Sequence, residues 1–273
     1  MHRTFIEAFS DYKVNMKMSR EAFEDRMLSK LNIEFEISPG IYSGDKLVGF
    51  IFQSMNTYEG QLAAYNGGTG VIPGYTGQGL TGRMYDFILP EMKKRGIEKC
   101  VLEVLTDNAR AISAYENAGF ERGKTFQCFM LKDGRLNNIR NLSDKFSKVL
   151  DFSIEEYSSI GEIQPGMLDQ LSQIKHHLAK ESILEFRKGD ELLAYIIFQP
   201  GNGRIAQLAV RPEFRRQGIA GALVYQAQQL CESKALSVLN IETKQEGVIN
   251  FFTKLGFGCD LLQFEMQKKI ADV

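Results

Sequence analysis

Two segments of the sequence place glycines where a strand would turn into a helix, at a spacing suited to holding an anion. Residues 71–82 read VIPGYTGQGLTG, and residues 210–221 read VRPEFRRQGIAG. Each runs from an apolar stretch, through proline and an aromatic residue, to a Gln-Gly pair that is predicted to begin a helix. Glycines at a helix start let an anion approach the backbone N–H groups closely, and the helix dipole favours negative charge there. The sequence therefore predicts two anion-binding turns.

The elements around the two turns repeat in the same order, with Val71 and Val210 lying 139 positions apart. In the first half, the spacing of apolar residues and the positions of turn residues predict strands at 37–42, 47–55, 61–71 and 100–105, with two more within 120–132. They predict helices at 5–12, 19–31, 79–94 and 109–117. The second half is predicted to have strands at 152–157, 183–188, 191–199, 204–210 and 236–243, helices at 166–177, 218–233 and 247–255, and final strands up to residue 266. Hairpins among the strands predict a mixed α/β fold (α+β with a mixed sheet) rather than a strict βαβ alternation.

An internal repeat of this size indicates two tandem modules. We place the first module at residues 1–133 and the second at 151–273. Residues 134–150 are rich in Asn, Ser, Lys and Arg, which predicts a linker with one short helix.

Composition narrows the class of protein. The 273 residues carry a net charge of −1, so no broad basic surface is expected for nucleic acid or anionic lipid. No stretch approaches the roughly 18 apolar residues that span a bilayer, and the start lacks the apolar run of a signal peptide. The four cysteines show no CxxC pair, which is typical of idle thiols in a reducing compartment. We expect a cytoplasmic protein that binds neither nucleic acid nor membrane, and nothing in the sequence indicates an oligomer.

A second pattern follows each turn. Asn108 precedes an alanine-rich helix that carries Tyr115 and ends at Gly119-Phe120. The second half has Gln245 in place of the asparagine, Phe252 in place of the tyrosine, and then Gly256-Phe257. The two halves therefore differ at this aromatic position, where the tyrosine has a hydroxyl and the phenylalanine has none.

Together these residues resemble the GCN5-related N-acetyltransferase (GNAT) family. The family signature Q/R-x-x-G-x-G/A at a helix start is matched fully by residues 215–220, whereas residues 76–81 match it only at Gly79. The resemblance covers nearly the whole chain and implies two acyl-CoA N-acyltransferase-like modules in tandem. Two departures stand out: the first module begins within the family's first helix, without its leading strand, and the second shows one early helix where the family usually has two.

The resemblance implies acetyl-CoA as the co-substrate and no metal. The backbone N–H at Val71 or Val210 would polarise the thioester carbonyl, as in an oxyanion hole, and Asn108 would contact the pantetheine arm. The pyrophosphate would lie on Thr76, Gly77, Gln78, Gly79, Thr81 and Gly82 in the first module, and on Arg215, Arg216, Gln217, Gly218, Ala220 and Gly221 in the second. An arginine of the second set would add direct charge.

The same resemblance assigns the proton transfers. Tyr115 resembles the family's general acid, which protonates the leaving thiolate, and a phenylalanine such as Phe252 cannot do this. The alternative interpretation of Tyr115 is a core aromatic residue at helical spacing, with no role in catalysis. Glu103, on the strand after the first turn's helix, is a candidate base for the acceptor amine; it is otherwise a solvent-facing or ion-paired carboxylate, and an ordered water can serve instead.

We therefore expect transfer of an acetyl group from acetyl-CoA to a primary amine of a small molecule or peptide, with the first module catalytic. The second module would be structural, or would bind the cofactor without turnover. The main alternative is a non-catalytic acyl-CoA-binding protein built from paired modules. Transfer of an aminoacyl group from tRNA is a further alternative, and the near-neutral charge argues against it.

Two other interpretations of single motifs remain. Gly77-x-Gly79-x-x-Gly82 with Asp107 matches a dinucleotide fingerprint, but that fingerprint normally opens the first strand–helix unit of a parallel sheet, and here it follows hairpin-like strands. His176-His177 has no neighbouring ligand pattern for a metal.

Overall fold

The computed structural model describes residues 1–14, 16–137, 139–140, 142, 145–161 and 166–270. The chain packs as two compact units. Unit 1 contains Met1–Lys124 and Phe264–Val273, and unit 2 contains Thr125–Gln263. Each unit is a mixed α/β structure.

The helices and strands of the described residues are numbered in chain order. The helices are α1 His2–Ala8, α2 Arg20–Glu24, α3 Leu80–Lys94, α4 Ala109–Asn117, α5 Ile154–Ser158, α6 Leu171–His176, α7 Ile219–Leu230 and α8 Glu246–Leu255. The strands are β1 Gly40–Ser43, β2 Lys46–Tyr58, β3 Gln61–Val71, β4 Lys99–Leu105, β5 Glu121–Leu131, β6 Phe146–Val149, β7 Ser182–Lys188, β8 Glu191–Gln199, β9 Arg204–Val210, β10 Leu236–Glu242 and β11 Gly258–Lys269.

In unit 1, β1, β2 and β3 form an antiparallel meander and β4 lies parallel to β3. Residues of alternate parity face opposite sides of a strand. Ile51 packs in one core cluster with residues of α3 and α4. Its neighbours Phe50 and Phe52 instead meet Phe5 of α1, with ring centroids 6.0 and 6.5 Å apart. The early helices and the α3–α4 pair thus cover opposite faces of these strands.

The end of the chain completes the core of unit 1. Met266 and Ile270 are buried in the same cluster as the α3 and α4 residues. The buried Glu265 carboxylate accepts a hydrogen bond of 2.5 Å from the Tyr58 hydroxyl, and the Lys268 ammonium donates to the Ala118 carbonyl at 2.7 Å. The boundary between the units therefore falls within β5 and within β11.

Unit 2 repeats the layout of unit 1. Strands β6 to β9 are antiparallel, and β10 pairs with β9 in parallel and with β5 in antiparallel. Helices α7 and α8 pack with one core cluster, and α5 and α6 with another on alternate residues of β8.

The structure corrects three expectations around the start of the second module. A strand was expected at 152–157, but residues Ile154–Ser158 form α5, and the strand is β6 at Phe146–Val149, inside the span assigned to the linker. The described part of that span contains this strand where a short helix was expected. With α6, the module has two early helices instead of one. The missed signal is a serine N-cap: the Ser153 hydroxyl accepts the Glu156 N–H at 3.1 Å at the start of α5.

Three features of the described residues concern a membrane span, a metal site and the reactivity of the cysteines. No helix in the described ranges is long and apolar enough to cross a bilayer. No group of three or more His, Cys, Asp and Glu side chains in those ranges is placed to hold a metal ion. The cysteines are free thiols, and burial raises the pKa of Cys100 to about 12, which makes this thiol a poor nucleophile.

Candidate active site

A wedge opens between β3 and β4 in unit 1. The two strands pair at only three positions, from Ala63 with Lys99 to Tyr65 with Val101. Just beyond them, the register of β3 against β2 shifts, so that Gly67 is an extra residue in β3. Such a bulge bends the strand and ends regular pairing on its other side. Backbone groups of β3 beyond Tyr65 therefore face a gap instead of β4.

Asn66 fastens the bulge. Its side-chain amide donates to the Thr69 hydroxyl at 2.7 Å and to the Tyr85 hydroxyl at 2.8 Å, while its carbonyl oxygen accepts the Gly68 N–H at 3.0 Å. A Cβ at Gly67 would lie 2.5 Å from the Leu31 side chain. The buried amide thus holds the bulge, and Gly67 leaves room for the Leu31 side chain.

The turn after β3 is built from left-handed glycines. Gly74, Gly77 and Gly79 have φ of 88°, 77° and 67°, a region in which other residues are strained. The Gln78 amide donates to the Gly74 carbonyl at 3.2 Å and closes the turn. Gly79 is the N-cap of α3, without a side-chain cap among the described residues.

The surface of this turn is unobstructed within the described part of the chain. A Cβ built on Gly74, Gly77, Gly79 or Gly82 would meet no atom within 4 Å. The uncapped N–H groups of the first turn of α3, with the positive end of its dipole, are suited to a phosphate group. Two expected binding residues flank these glycines, Thr76 half-buried in the turn and Thr81 buried in the first turn of α3.

Val71 directs a backbone donor towards the wedge. The N–H of the following residue, Ile72, points to β2 and donates to the Val48 carbonyl at 3.0 Å. Because successive N–H groups of a strand point to opposite sides, the Val71 N–H points away from β2. It can therefore meet an acyl oxygen held in the wedge.

Tyr115 of α4 lies beside the wedge. It is 9% exposed, and its ring packs against Phe120 with centroids 5.7 Å apart. Burial raises the pKa of its phenol, and hydrogen bonding to Thr69 and Asn66 offsets part of that increase. The phenol is consequently protonated at neutral pH, as a proton donor must be.

Glu103 lies on the opposite face of β4. Its neighbours Leu102 and Val104 pack in the cluster that includes Tyr115, so Glu103 faces the other side of the strand. Its Oε2 accepts a hydrogen bond of 2.5 Å from the Tyr65 hydroxyl. A hydrogen-bonded carboxylate and a buried phenol thus flank the same part of β4 from opposite faces.

Asn108 holds the start of α4. Its Oδ1 accepts the Ala111 N–H at 3.1 Å as an N-cap. Its side chain also hydrogen-bonds Tyr12, whose pKa is raised mainly by burial. The neighbouring Lys13 pairs with Asp107. The segment after α1 is thereby attached to the start of α4, next to the wedge.

Unit 2 has the same backbone framework. Strands β9 and β10 pair at only two positions, and Ala206 is the extra residue of a bulge in β9. The Arg211 N–H donates to the Leu193 carbonyl at 2.8 Å, so the Val210 N–H points away from β8, as Val71 does from β2. The turn has left-handed residues at Arg216 and Gly218, with φ of 63° and 83°.

The side chains around the second turn differ from those around the first. The Arg215 guanidinium donates to the Val210 carbonyl at 3.0 Å, and the Gln217 carbonyl accepts from Arg140 at 3.0 Å. In the first turn of α7, after Ala220, a Cβ at Gly221 would contact Leu255 at 3.6 Å. The expected residues of the second set are thus together, but several are engaged with the protein itself.

The expected proton-transfer position of unit 2 is apolar. Phe252 is 2% exposed and packs in a cluster with Ile205, with Leu208 against it. Gln245 precedes α8 without capping it, and its Oε1 is buried without a hydrogen-bond partner among the described residues. No side chain of this group can act as the phenol does in unit 1.

Two site residues were missed from the sequence. Asn66 holds the bulge and Tyr65 holds Glu103. The signal for the first was present, because a polar residue followed by two glycines inside an apolar strand is typical of a bulge. The second pairing depends on the register of β3 against β4, which no local pattern specifies.

One relative with a similar sequence is N-alpha-acetyltransferase 30 from Schizosaccharomyces pombe (strain 972 / ATCC 24843). It is 32% identical over 88 residues, which are 32% of this chain and 59% of that protein. The match thus spans less than two thirds of the relative's length.

Similar solved structures cover the whole chain. A tandem GNAT protein from the clavulanic acid biosynthesis pathway has a TM-score of 0.72 at 12% identity, over 100% of this chain and 94% of that one. A GCN5-related N-acetyltransferase from Sphaerobacter thermophilus has a TM-score of 0.71 at 14% identity, over 99% and 92%. At these identities the likeness shows a shared fold.

The family model described as Acetyltransferase (GNAT) family matches the sequence twice, at residues 3–120 and 147–257. The two matches account for most of the chain and agree with the tandem resemblance seen in its motifs. The chain belongs to the GNAT family of acetyltransferases, with two modules of that fold in tandem.

Proposed function

We propose that the protein transfers an acetyl group from acetyl-CoA to a primary amine, and that the reaction takes place in unit 1. The observation that carries the proposal is the juxtaposition at one wedge of an unobstructed glycine turn and a buried, protonated phenol, Tyr115. Unit 2 has the turn but has Phe252 in place of the phenol.

The glycine turn of unit 1 would hold the pyrophosphate of acetyl-CoA. Gly77, Gly79 and Gly82 allow the phosphates to reach the backbone N–H groups at the start of α3. The pantetheine arm would then lie in the wedge, near Asn108. The acetyl carbonyl would meet the Val71 N–H, which stabilises the oxyanion that forms during attack.

The acceptor amine would attack from the face of β4 that carries Glu103. Its nitrogen forms a bond to the acetyl carbon, and the carbon–sulfur bond then breaks. Glu103, or a water beside it, takes the proton that the amine loses. Tyr115 gives its phenolic proton to the departing thiolate, and solvent restores it. The two groups serve different partners, which fits their positions on opposite faces.

The names of the relatives suggest which amines to test as acceptors. The similar yeast protein is named an N-alpha-acetyltransferase, which places peptide α-amines among the acceptors to test. The similar tandem protein belongs to a small-molecule biosynthesis pathway, which adds small primary amines.

Release of free thiol from acetyl-CoA, measured over a panel of peptide α-amines and small primary amines, tests this function. We expect amine-dependent thiol release with at least one acceptor and a matching N-acetylated product by mass spectrometry. Binding of acetyl-CoA with no amine-dependent release across the panel would instead support a non-catalytic acyl-CoA-binding protein.

A further inference from the structure

The glycine turn of unit 2 is covered by the chain itself. We propose that the described residues of 134–142, here called the linker segment, lie over this turn in the space between α7 and α8, here called the groove, and exclude acyl-CoA from it. The chain then binds one molecule of acetyl-CoA, in unit 1. The location of that one molecule rests on the function proposed above, whereas the closure of the second groove rests on contacts within unit 2.

Arg140 lies directly on the turn. A Cβ at Gly218 would be 3.2 Å from both Cβ and Cδ of Arg140. The Arg140 guanidinium donates to the Gln217 carbonyl at 3.0 Å. The corresponding position at Gly79 meets no atom within 4 Å. Arg140 therefore occupies space beside Gly218 that is open beside Gly79.

Apolar residues of the same segment fasten it to the groove. Three partly buried side chains, Leu136, Ile139 and Leu142, pack against the core cluster that contains residues of α7 and α8. Ile139 also reaches Gly221, where a Cβ would lie 3.8 Å from its Cδ1. Removing apolar surface from water is favourable, so these contacts favour the closed arrangement.

Backbone hydrogen bonds anchor the segment. The Asn137 N–H donates to the Leu255 carbonyl at the end of α8 at 3.0 Å. The Gln228 amide of α7 donates to the Gly134 carbonyl at 2.9 Å. The segment is therefore tied to both helices that border the groove, and it covers the turn between them.

The turn that carries the matched signature in this module contacts the linker segment instead of a phosphate. Residues 215–220 keep the full family pattern, but the Gln217 carbonyl and the Gly218 surface contact Arg140. The turn serves as a docking surface for the linker segment, which joins the second module to the residues before it.

Titration calorimetry of the full chain with acetyl-CoA tests the closure. We expect a stoichiometry of 1 for the wild type and of 2 for an opened variant that carries Ile139→Ser, Arg140→Gly and Leu142→Ser. The matched control is Arg135→Gly, which removes an exposed arginine from the same segment and is expected to keep the stoichiometry at 1. Hydrogen exchange gives a second measurement, because the Asn137 amide should be protected in the wild type and exposed in the opened variant.

Each outcome bears on one proposal or both. A stoichiometry of 2 in the wild type, or an unprotected Asn137 amide, overturns the closure. A stoichiometry of 1 in both proteins overturns the exclusion of acyl-CoA and leaves the proposed function standing. A change from 0 to 1 on opening overturns the assignment of unit 1 and supports the closure, and no binding by either protein overturns both.

Discussion

The two glycine turns share a backbone and differ in what surrounds them. Gly79 and Gly218 cap α3 and α7 with φ of 67° and 83°, and Gly77 and Arg216 take the same left-handed conformation before them. The first turn is unobstructed among the described residues, and Arg140 covers the second. A turn that fits the family signature less well is thus the more accessible one.

The side chains that surround the two wedges differ together: they are polar where the phenol is present and apolar where it is absent. With the same offset of 139 positions, Asn66 and Thr69 of unit 1 correspond to Ile205 and Leu208 of unit 2. The buried amide of Asn66 and the half-buried hydroxyl of Thr69, near Tyr115, are replaced by apolar side chains near Phe252. A polar network is stable in a core only when each member has partners, so loss of the phenol makes the rest of the network costly to keep.

Removal of the phenol is the change with the largest expected effect. Tyr115→Phe keeps the ring packing and removes the proton donor, so we expect kcat to fall by about 10²–10⁴-fold, with the Kd for acetyl-CoA nearly unchanged. Steady-state kinetics and calorimetry measure the two quantities. The matched variant Phe252→Tyr in unit 2 should leave kcat unaltered. Full activity of Tyr115→Phe would show that this phenol is not the acid.

The amide that holds the bulge is the next target. Asn66→Leu is close in shape, but it leaves the Tyr85 hydroxyl and the Gly68 N–H without the partners they have now. We expect a loss of about 1–3 kcal/mol in the free energy of unfolding, measured by urea denaturation, together with a lower kcat. At the matching position in unit 2, Ile205→Val should cost about 0.5–1.5 kcal/mol and leave kcat unchanged. An unaltered kcat in Asn66→Leu would show that the bulge does not contribute to catalysis.

A carboxylate in each glycine turn compares their access to phosphate directly. Asp and Asn tolerate left-handed φ better than most residues, so the charge effect can be separated from backbone strain. We expect Gly79→Asp to weaken acetyl-CoA binding by about tenfold or more, roughly 1.4 kcal/mol, and Gly79→Asn to weaken it less. Gly218→Asp should not change the affinity. Equal losses in the two Asp variants, measured by calorimetry, would contradict the comparison.

Local sequence patterns predicted much of this molecule. The period of 3.6 placed α3, α4, α7 and α8 close to their observed bounds, and the Gln-Gly pairs marked two helix starts. The roles that the resemblance gives to Val71, Asn108 and Tyr115 stay predictions. Such patterns failed at residues 152–157, where the apolar residues were taken as a strand. The Ser153 hydroxyl caps a helix there, α5.

Other features depend on segments far apart in the chain. Glu265 and Met266 complete unit 1 although they lie more than a hundred positions after α4. Arg140 covers Gly218 from 78 positions away. No local sequence pattern predicts either contact, because the assembled fold decides which distant segments pack together. A full and a partial match to the signature thus form the same turn, and the neighbouring side chains decide whether a ligand can reach it.

The pH dependence of kcat is the smallest expected effect and sharpens the assignment of the acid to unit 1. Burial raises the pKa of Tyr115 above its ordinary value of 10.0. The protonated phenol is the active form, so activity that depends on it is present at lower pH and is lost only as the pH rises through this raised pKa, above pH 10. Between pH 8 and about 10 we expect deprotonation of this group to cost less than twofold in kcat. A steep loss centred below pH 10 that disappears in Tyr115→Phe would mean that the phenol is not buried as described, and the contrast between the two wedges would then lose its chemical basis.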